Sequence, residues 1–549
     1  MKKKDKVMKK SNFMQGAFVA TLGIVITKIL GVLYVIPFFA IIGEKGGALY
    51  GYAYTFYLIF MAISTAGIPL AISKLTSEYQ TLGYYDAKQR AFKIGKTIAI
   101  TLGALCFMAL FILAPYLAKS ILGNLKGGNT ISDVIFVLRV ISTAIIIVPV
   151  LSVYRGFFEG HKYITPTAIS QVLEQVVRVL VIVLGSFMAL RVFNLSLTTA
   201  VGVAVFAATV GSLASYVYLI SKKFKNNKLF NEKEENVKEP FISTKEILTK
   251  IVIYAFPLIM IDIFKSLYSL IDTVTVVKTL GPIYGTKSAE SIMSILSTWA
   301  AKFNMIIISI STGLIVSLTP NLTSSLVLND MDDIRKKINQ SLQILAILVI
   351  PMTFGLSFLA KPVYTLFYGP SKFGSSVFKV YIFVALVTAF YTTMVTIVQV
   401  LKDYKTVFIS LISGVIIKAV TNVLFMNGLN NLGLPAYYGS VLATMLGYFV
   451  SFVICLLALK KRFDIKYTDT FIETIKIFVG VIIMILGLSI LSLIVHLSSS
   501  MRIVNLPIII LYTLVGAFIY FIVMYMSGTI NHVFGDKILK SIKKKLKIK

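Results

Sequence analysis

Seven ionisable residues lie where charge is expensive. Lys28, Glu174, Arg178, Asp262, Lys265, Asp272 and Lys302 all fall inside long apolar stretches. A charged side chain at bilayer depth costs roughly 2.5–3.5 kcal/mol on insertion scales, so each needs a partner or a water-filled cavity. Glu174 and Arg178 are four apart, on one face of a helix, and can pair. A buried salt bridge and a direct role toward substrate are both open for them. Asp262 and Lys265 are three apart and can also neutralise each other, with Asp272 further along the same stretch. Helix packing, a coupling ion or substrate contact would each account for these three. The deep set leans basic. A cationic cavity with low-dielectric walls attracts an anion such as a phosphate or pyrophosphate. Lys74, Arg139 and Lys476 lie near segment ends and are expected to snorkel to the headgroups. Lys418 lies deep, and its spacing assigns it no role.

Covalent chemistry has little support. Gly95-Lys96-Thr97 resembles the end of a phosphate-binding loop, but Arg90 stands where the first glycine should be. The histidines, His161, His496 and His532, are scattered and define no metal cluster. Cys106 and Cys455 both sit within apolar segments and read as small buried hydrophobes. Nothing resembles a nucleophile elbow or a catalytic triad. No catalytic residue, metal or cofactor is expected. The chemistry left is that of a carrier, driven by membrane potential or by a coupling cation.

The elements that must hold these charges are plain in the composition. Of 549 residues, 57% are hydrophobic and 14% charged, too little polar surface to cover a soluble core of this length. Fourteen apolar runs are long enough to cross a bilayer as helices. They are continuous and not alternating, which excludes a transmembrane β-barrel. The expected segments are 13–42, 50–75, 94–122, 134–154, 166–190 and 197–221, then 247–280, 289–318, 338–367, 377–401, 406–426, 435–459, 470–497 and 503–526. The fold class is therefore an all-α polytopic membrane protein. Two six-helix lobes, 1–221 and 247–460, are followed by two extra helices within 461–528 and a basic tail, 529–549. Between the lobes lies 222–246, KKFKNNKLFNEKEENVKEPFISTKE, expected to be a solvated cytoplasmic linker. The lobes are distantly alike, each opening on a long segment with one mid-helix lysine, Lys28 or Lys265, as in transporters built from repeats.

The net charge of +31 suggests nucleic acid at first, but Lys and Arg gather in alternate loops and at both ends. That is a topology signal and places both termini in the cytoplasm. The run after the basic start is too long for a cleaved leader. The basic tail suits the anionic inner leaflet.

Three stretches carry a family likeness: YRGFFEGHKYITPTAISQVLEQVVRV (154–179), ALYGYAYTFY (48–57) and STAGIPLAISKLTSEY (64–79). They resemble the polysaccharide-transport branch of the MOP exporter superfamily. Within it the chain is most similar to MurJ-type lipid II flippases of Gram-positive bacteria and the stage V sporulation protein B group. The resemblance implies two lobes around a central cationic cavity, alternating access, and a groove for the lipid tail formed by the last two helices. It also implies that Lys28, in TKILG, and Lys302, in AAKFN, replace two cavity arginines of Gram-negative members. Lysine is a point charge and not a planar fork, so phosphate would be held with less geometric constraint. Two further arginines are absent, their places taken by Tyr34 and by Phe60-Met61. Arg155, Glu174 and Arg178 belong to the stretch typical of the closer group.

The function expected is flipping of an undecaprenyl-pyrophosphate-linked glycan, foremost lipid II, across the cell membrane of a Gram-positive bacterium. The expected substrate-binding residues are Lys28, Lys302, Arg178, Glu174, Arg155 and Lys265, with Asp262 and Asp272 as ion-coupling candidates. Expected partners are the lipid-linked precursor and anionic membrane lipids, with no nucleic acid, and the protein is expected to be a monomer. Rival substrates are teichoic acid, capsule or sporulation-specific lipid-linked glycans. A cation-coupled MATE-type drug exporter would share the fold, but its site should be acidic. A scaffold without transport would gain nothing from deep charges.

Overall fold

A computed structural model describes residues 22–23, 26–65, 67–123, 125–230, 239–497 and 501–534. Among these residues regular structure is helical throughout, without strands. Backbone groups in lipid must be satisfied within the segment, and a helix does this alone. Among the described residues, thirteen candidate spans are long and apolar enough to cross a membrane, the first of them 35–82. Most of the first expected segment, 13–42, lies outside the described residues; its stretch 26–33 is helical.

The helices, in order, are α1 (Val35–Thr65), α2 (Ile68–Leu82), α3 (Tyr85–Leu122), α4 (Ile131–Ser142), α5 (Ala144–Gly160), α6 (Ile164–Leu180), α7 (Leu197–Lys225), α8 (Thr244–Tyr284), α9 (Thr286–Ser294), α10 (Ala300–Val327), α11 (Met331–Phe358), α12 (Ala360–Tyr368), α13 (Gly374–Val400), α14 (Tyr404–Asn431), α15 (Tyr438–Phe463), α16 (Thr468–Ile494) and α17 (Asn505–Met526). Three short π-helical stretches interrupt the series, Val181–Gly185 and Met188–Val192 after α6, and Ile295–Trp299 between α9 and α10.

Local sequence sets the ends. Thr130 and Asp133 form a capping box at α4, each satisfying a backbone N–H of the other. Ser196, Ser243, Asp330 and Asp403 cap α7, α8, α11 and α14, each side chain accepting from the backbone N–H three residues on. Between α1 and α2 the chain turns at Gly67, with φ 75°. A Cβ there would lie 2.6 Å from the Ala255 backbone, so only glycine lets α8 approach the turn.

Contacts divide the chain into two compact units, Met1–Ser294 and Ile295–Lys549. In the first, α2 and α3 pack on α5, α6 lies along α7, and α8 packs against α1, α2 and α3. In the second, α13 is central, touching α10, α11 and α15; α14 pairs with α15, and α16 with α17 and α11. The last two helices keep a broad apolar outer face that includes Phe471, Ile482, Leu486 and Phe518.

The linker differs from the solvated connector expected. Helix α7 runs on to Lys225, and Phe230 is fully buried against Phe157, Phe158 and Tyr163. Glu239 then accepts from the backbone N–H groups of Asp86 (2.8 Å) and Ala87 (2.5 Å) at the start of α3. The first N–H groups of a helix have no acceptor within it, and a carboxylate is their natural partner. Residues 231–238 of the linker lie outside the described residues.

Candidate substrate site

Charge in the first unit centres on α5 and α6. Glu174 sits between two arginines: Arg155 donates to one carboxylate oxygen at 2.8 Å, and Arg178, one turn along α6, to the other at 2.5 Å. Arg155 also donates to Ser170 and Ser215, each at 3.0 Å. Both serines are themselves held, Ser170 to the Thr167 carbonyl and Ser215 to the Ser170 carbonyl. The three charged side chains are only 13–22% exposed. The cluster carries a net single positive charge in a low-dielectric setting. Arg178 Nε is buried and donates to no acceptor among the described residues. The helices can come this close because α7 offers Gly211, where a Cβ would lie 2.7 Å from the Glu174 carbonyl oxygen and 3.2 Å from Arg178 Cβ.

The sequence pairs Glu174 with Arg178 by spacing alone. The second arginine and the two serines escape that reasoning, because they come from other turns and another helix. Tyr50, Tyr54 and Tyr57 are a further omission. Their rings form a ladder, 4.5 Å and 5.6 Å between centroids, and Tyr54 and Tyr57 lie within electrostatic reach of Arg178. Their i, i+4, i+7 spacing was the available signal.

Lys28 belongs to the same neighbourhood. A Cβ on Gly23 would touch Ala168, and one on Gly31 would lie 3.6 Å from Gln175 Nε2. The helical stretch 26–33, which carries Lys28, therefore lies beside α6, with Gly31 level with Gln175. Lys28 is half-buried.

On α8, Asp262 and Lys265 do pair, at 4.0 Å, and both are largely exposed (54% and 42%). With Ser266, Ser269 and the half-buried Asp272 they recur every three or four residues and mark one polar face of a long apolar helix. At bilayer depth such a face belongs against water or polar groups and not acyl chains. Lys302 stands in the second unit, half-buried, one residue before the buried Phe303.

The three edge cations stay at least partly exposed, and each has a neighbour in the protein. Lys476 pairs at 2.8 Å with Glu473, which is nearly fully buried; Lys74 lies over the Tyr254 ring at 3.8 Å; Arg139 lies 4.8 Å from the Phe111 ring. Lys418 now has a place. It is fully buried, and its ammonium donates to Asn422 (2.8 Å), the Ser440 carbonyl (2.9 Å) and Thr444 (2.6 Å). Those acceptors match its donors and tie α14 to α15, a structural role. No cluster of metal-ligating side chains occurs among the described residues.

A long-helix bundle with charge held inside its apolar body is the build of a multi-pass membrane transporter. Solved structures share this fold: a lipid II flippase MurJ in an inward closed conformation covers 93% of this chain and 99% of its own, with TM-score 0.65 at 16% identity. An inward-facing multidrug resistance MATE family transporter of the MOP superfamily covers 81% and 98%, with TM-score 0.64 at 13% identity. Residues 13–324 match the Polysaccharide biosynthesis protein family, and the chain belongs to that family. Among its curated relatives, the lipid II flippase MurJ of Bacillus subtilis (strain 168) is 34% identical over 464 residues, 83% of this chain and 84% of that one.

Proposed function

We propose that this protein is a flippase that carries an undecaprenyl-pyrophosphate-linked glycan, lipid II, across the cell membrane by alternating access. The observation that carries the reading is 34% identity to a lipid II flippase across most of both chains. The chemistry of the site agrees with it. A pyrophosphate is a compact dianion, and Arg155, Glu174 and Arg178 together sum to a cation. Lys28 and Lys302 are the proposed phosphate ligands. Arg155 and Arg178 add bidentate donors that lysine lacks. Glu174 keeps both guanidiniums in place without substrate and gives way to phosphate oxygens when substrate arrives. Asp262 and Asp272, on the polar face of α8, are the proposed coupling-ion residues, with Lys265 as the internal counter-charge of Asp262. No bond is made or broken, so the protein is a carrier and not an enzyme. Both termini face the cytoplasm of a Gram-positive cell.

A MATE-type drug exporter shares the fold, but a site for cationic drugs needs a net negative charge. The deep set here carries four cations against three anions.

The test is replacement. Cells whose own lipid II flippase is shut off receive this protein, and outer-leaflet lipid II is trapped by an external probe. Lipid II should appear with the parent chain and vanish with Lys28→Ala and with Lys302→Ala, both still inserted. An inserted parent chain that delivers none overturns the lipid II reading and turns the search to other lipid-linked glycans.

A further inference from the structure

The helix that carries Lys302 is not one uniform rod. It begins as α9, passes through the π-helical turn Ile295–Trp299, and continues as α10. Each arm is fixed by its own contacts. On α9, Glu290 is 1% exposed, and its carboxylate accepts from the Asn129 backbone N–H (2.9 and 3.1 Å) and from Asn129 Nδ2 (3.1 Å). Asn129 Nδ2 donates also to the Lys45 carbonyl. The next residue, Ser291, donates to Glu44. A double carboxylate clasp thus ties the first turns of this helix to the loop before α4 and to α1.

Beyond the turn the partners change. Tyr368 Oη donates to the Trp299 carbonyl at 3.0 Å, beside the change of hydrogen-bond register. Trp299 is fully buried, its ring 5.5 Å from that of Tyr368. Phe303 packs on Phe367 and Phe378 at 4.9 and 4.7 Å. The division between the two compact units falls at Ser294/Ile295, at the start of the π turn. A π turn holds one surplus residue and weaker hydrogen bonds, and it is a recognised place for a helix to bend. The π-helical stretches among the described residues lie on two of the several helices that carry candidate charges, after Arg178 and before Lys302.

We propose that Ile295–Trp299 is the pivot of the Lys302 helix, with Glu290 and Ser291 fixing one arm and Tyr368 fixing the other. The residues flanking the turn are positioning residues: they decide where Lys302 points without themselves touching substrate. The role given to Lys302 rests on the proposed function; the pivot does not.

Hydrogen–deuterium exchange on the full chain in lipid nanodiscs tests it. Amides of 295–299 should exchange roughly tenfold faster than those of 289–294, which are buried throughout, and faster than those of 300–310. Equal protection overturns the pivot. Deleting Ser297 removes the surplus residue. That variant should insert, exchange slowly throughout, and lose lipid II transport, whereas Ser297→Ala should match the parent in both. A deletion variant that transports normally overturns the proposal. Should the deletion variant fail to accumulate, Tyr368→Phe serves: it should raise exchange in 295–299 about fivefold, the weight of one hydrogen bond, and unchanged exchange overturns the pivot. Fast exchange in a parent chain that moves no lipid II removes the functional reading and leaves the pivot. Slow exchange in a chain that moves lipid II does the reverse.

Discussion

Replacing Arg155, Glu174 and Arg178 together should harm the fold less than replacing Glu174 alone. Glu174→Met leaves two guanidiniums, 17% and 22% exposed, without the carboxylate that stood between them. Breaking a buried ion pair by removing one partner costs about 3–5 kcal/mol. The triple variant, methionine at all three positions, removes every charge and keeps similar volume. The serines around Arg155 keep their own acceptors, so no buried hydroxyl is orphaned. Replacing a whole buried ion cluster by apolar groups is often neutral, so the triple variant should lie within about 2 kcal/mol of the parent. The assay is thermal stability of the solubilised protein, read as the fraction still monodisperse after heating, beside lipid II transport by inserted protein. The expected order of stability is parent close to triple variant, with Glu174→Met clearly lowest. Transport should be absent from both variants. A triple variant less stable than Glu174→Met would show that the three side chains contribute independently and refute the electrostatic argument. A stable triple variant that transports normally would refute any role of the cluster toward substrate.

Other perturbations separate architecture from site. Gly211→Ala should cost about 1–3 kcal/mol, because its Cβ would press on the Glu174 carbonyl and Arg178; a thermal midpoint equal to the parent's would contradict it. Lys418→Met should lower stability by leaving buried acceptors short of a donor, while transport per inserted molecule stays near normal, as a transport assay scaled to membrane-extracted protein would show. Asp262→Asn should leave stability within about 1 kcal/mol, since its ion pair is long and exposed, yet it should blunt the dependence of transport on the coupling gradient. Lys302→Arg should keep part of the transport that Lys302→Ala loses, because phosphate tolerates either cation; equal loss in the two variants would argue against an anionic group there.

Apolar run length alone determined that the chain is a stack of membrane-crossing helices, because a helix of about 20 apolar residues satisfies its own backbone and matches the bilayer. Spacing alone determined that Glu174 faces Arg178, since three to four residues is one helical turn. Both are local properties, carried by neighbours in the chain. Contacts between distant residues decided the rest. Arg155 and Ser215 join Glu174 from α5 and α7, across 19 residues for the arginine's ion pair and 60 for the Arg155–Ser215 bond. Lys418 looked like a stray deep charge until α15 supplied two of its acceptors. The linker looked solvated until Glu239 met the open end of α3 and Phe230 met its aromatic pocket. The break in the Lys302 helix is likewise tertiary: nothing in ILSTW forbids an α-helix, and the turn persists between a clasp on one side and Tyr368 on the other. Composition fixes how much charge a membrane chain must hide, and only packing decides which partner hides it.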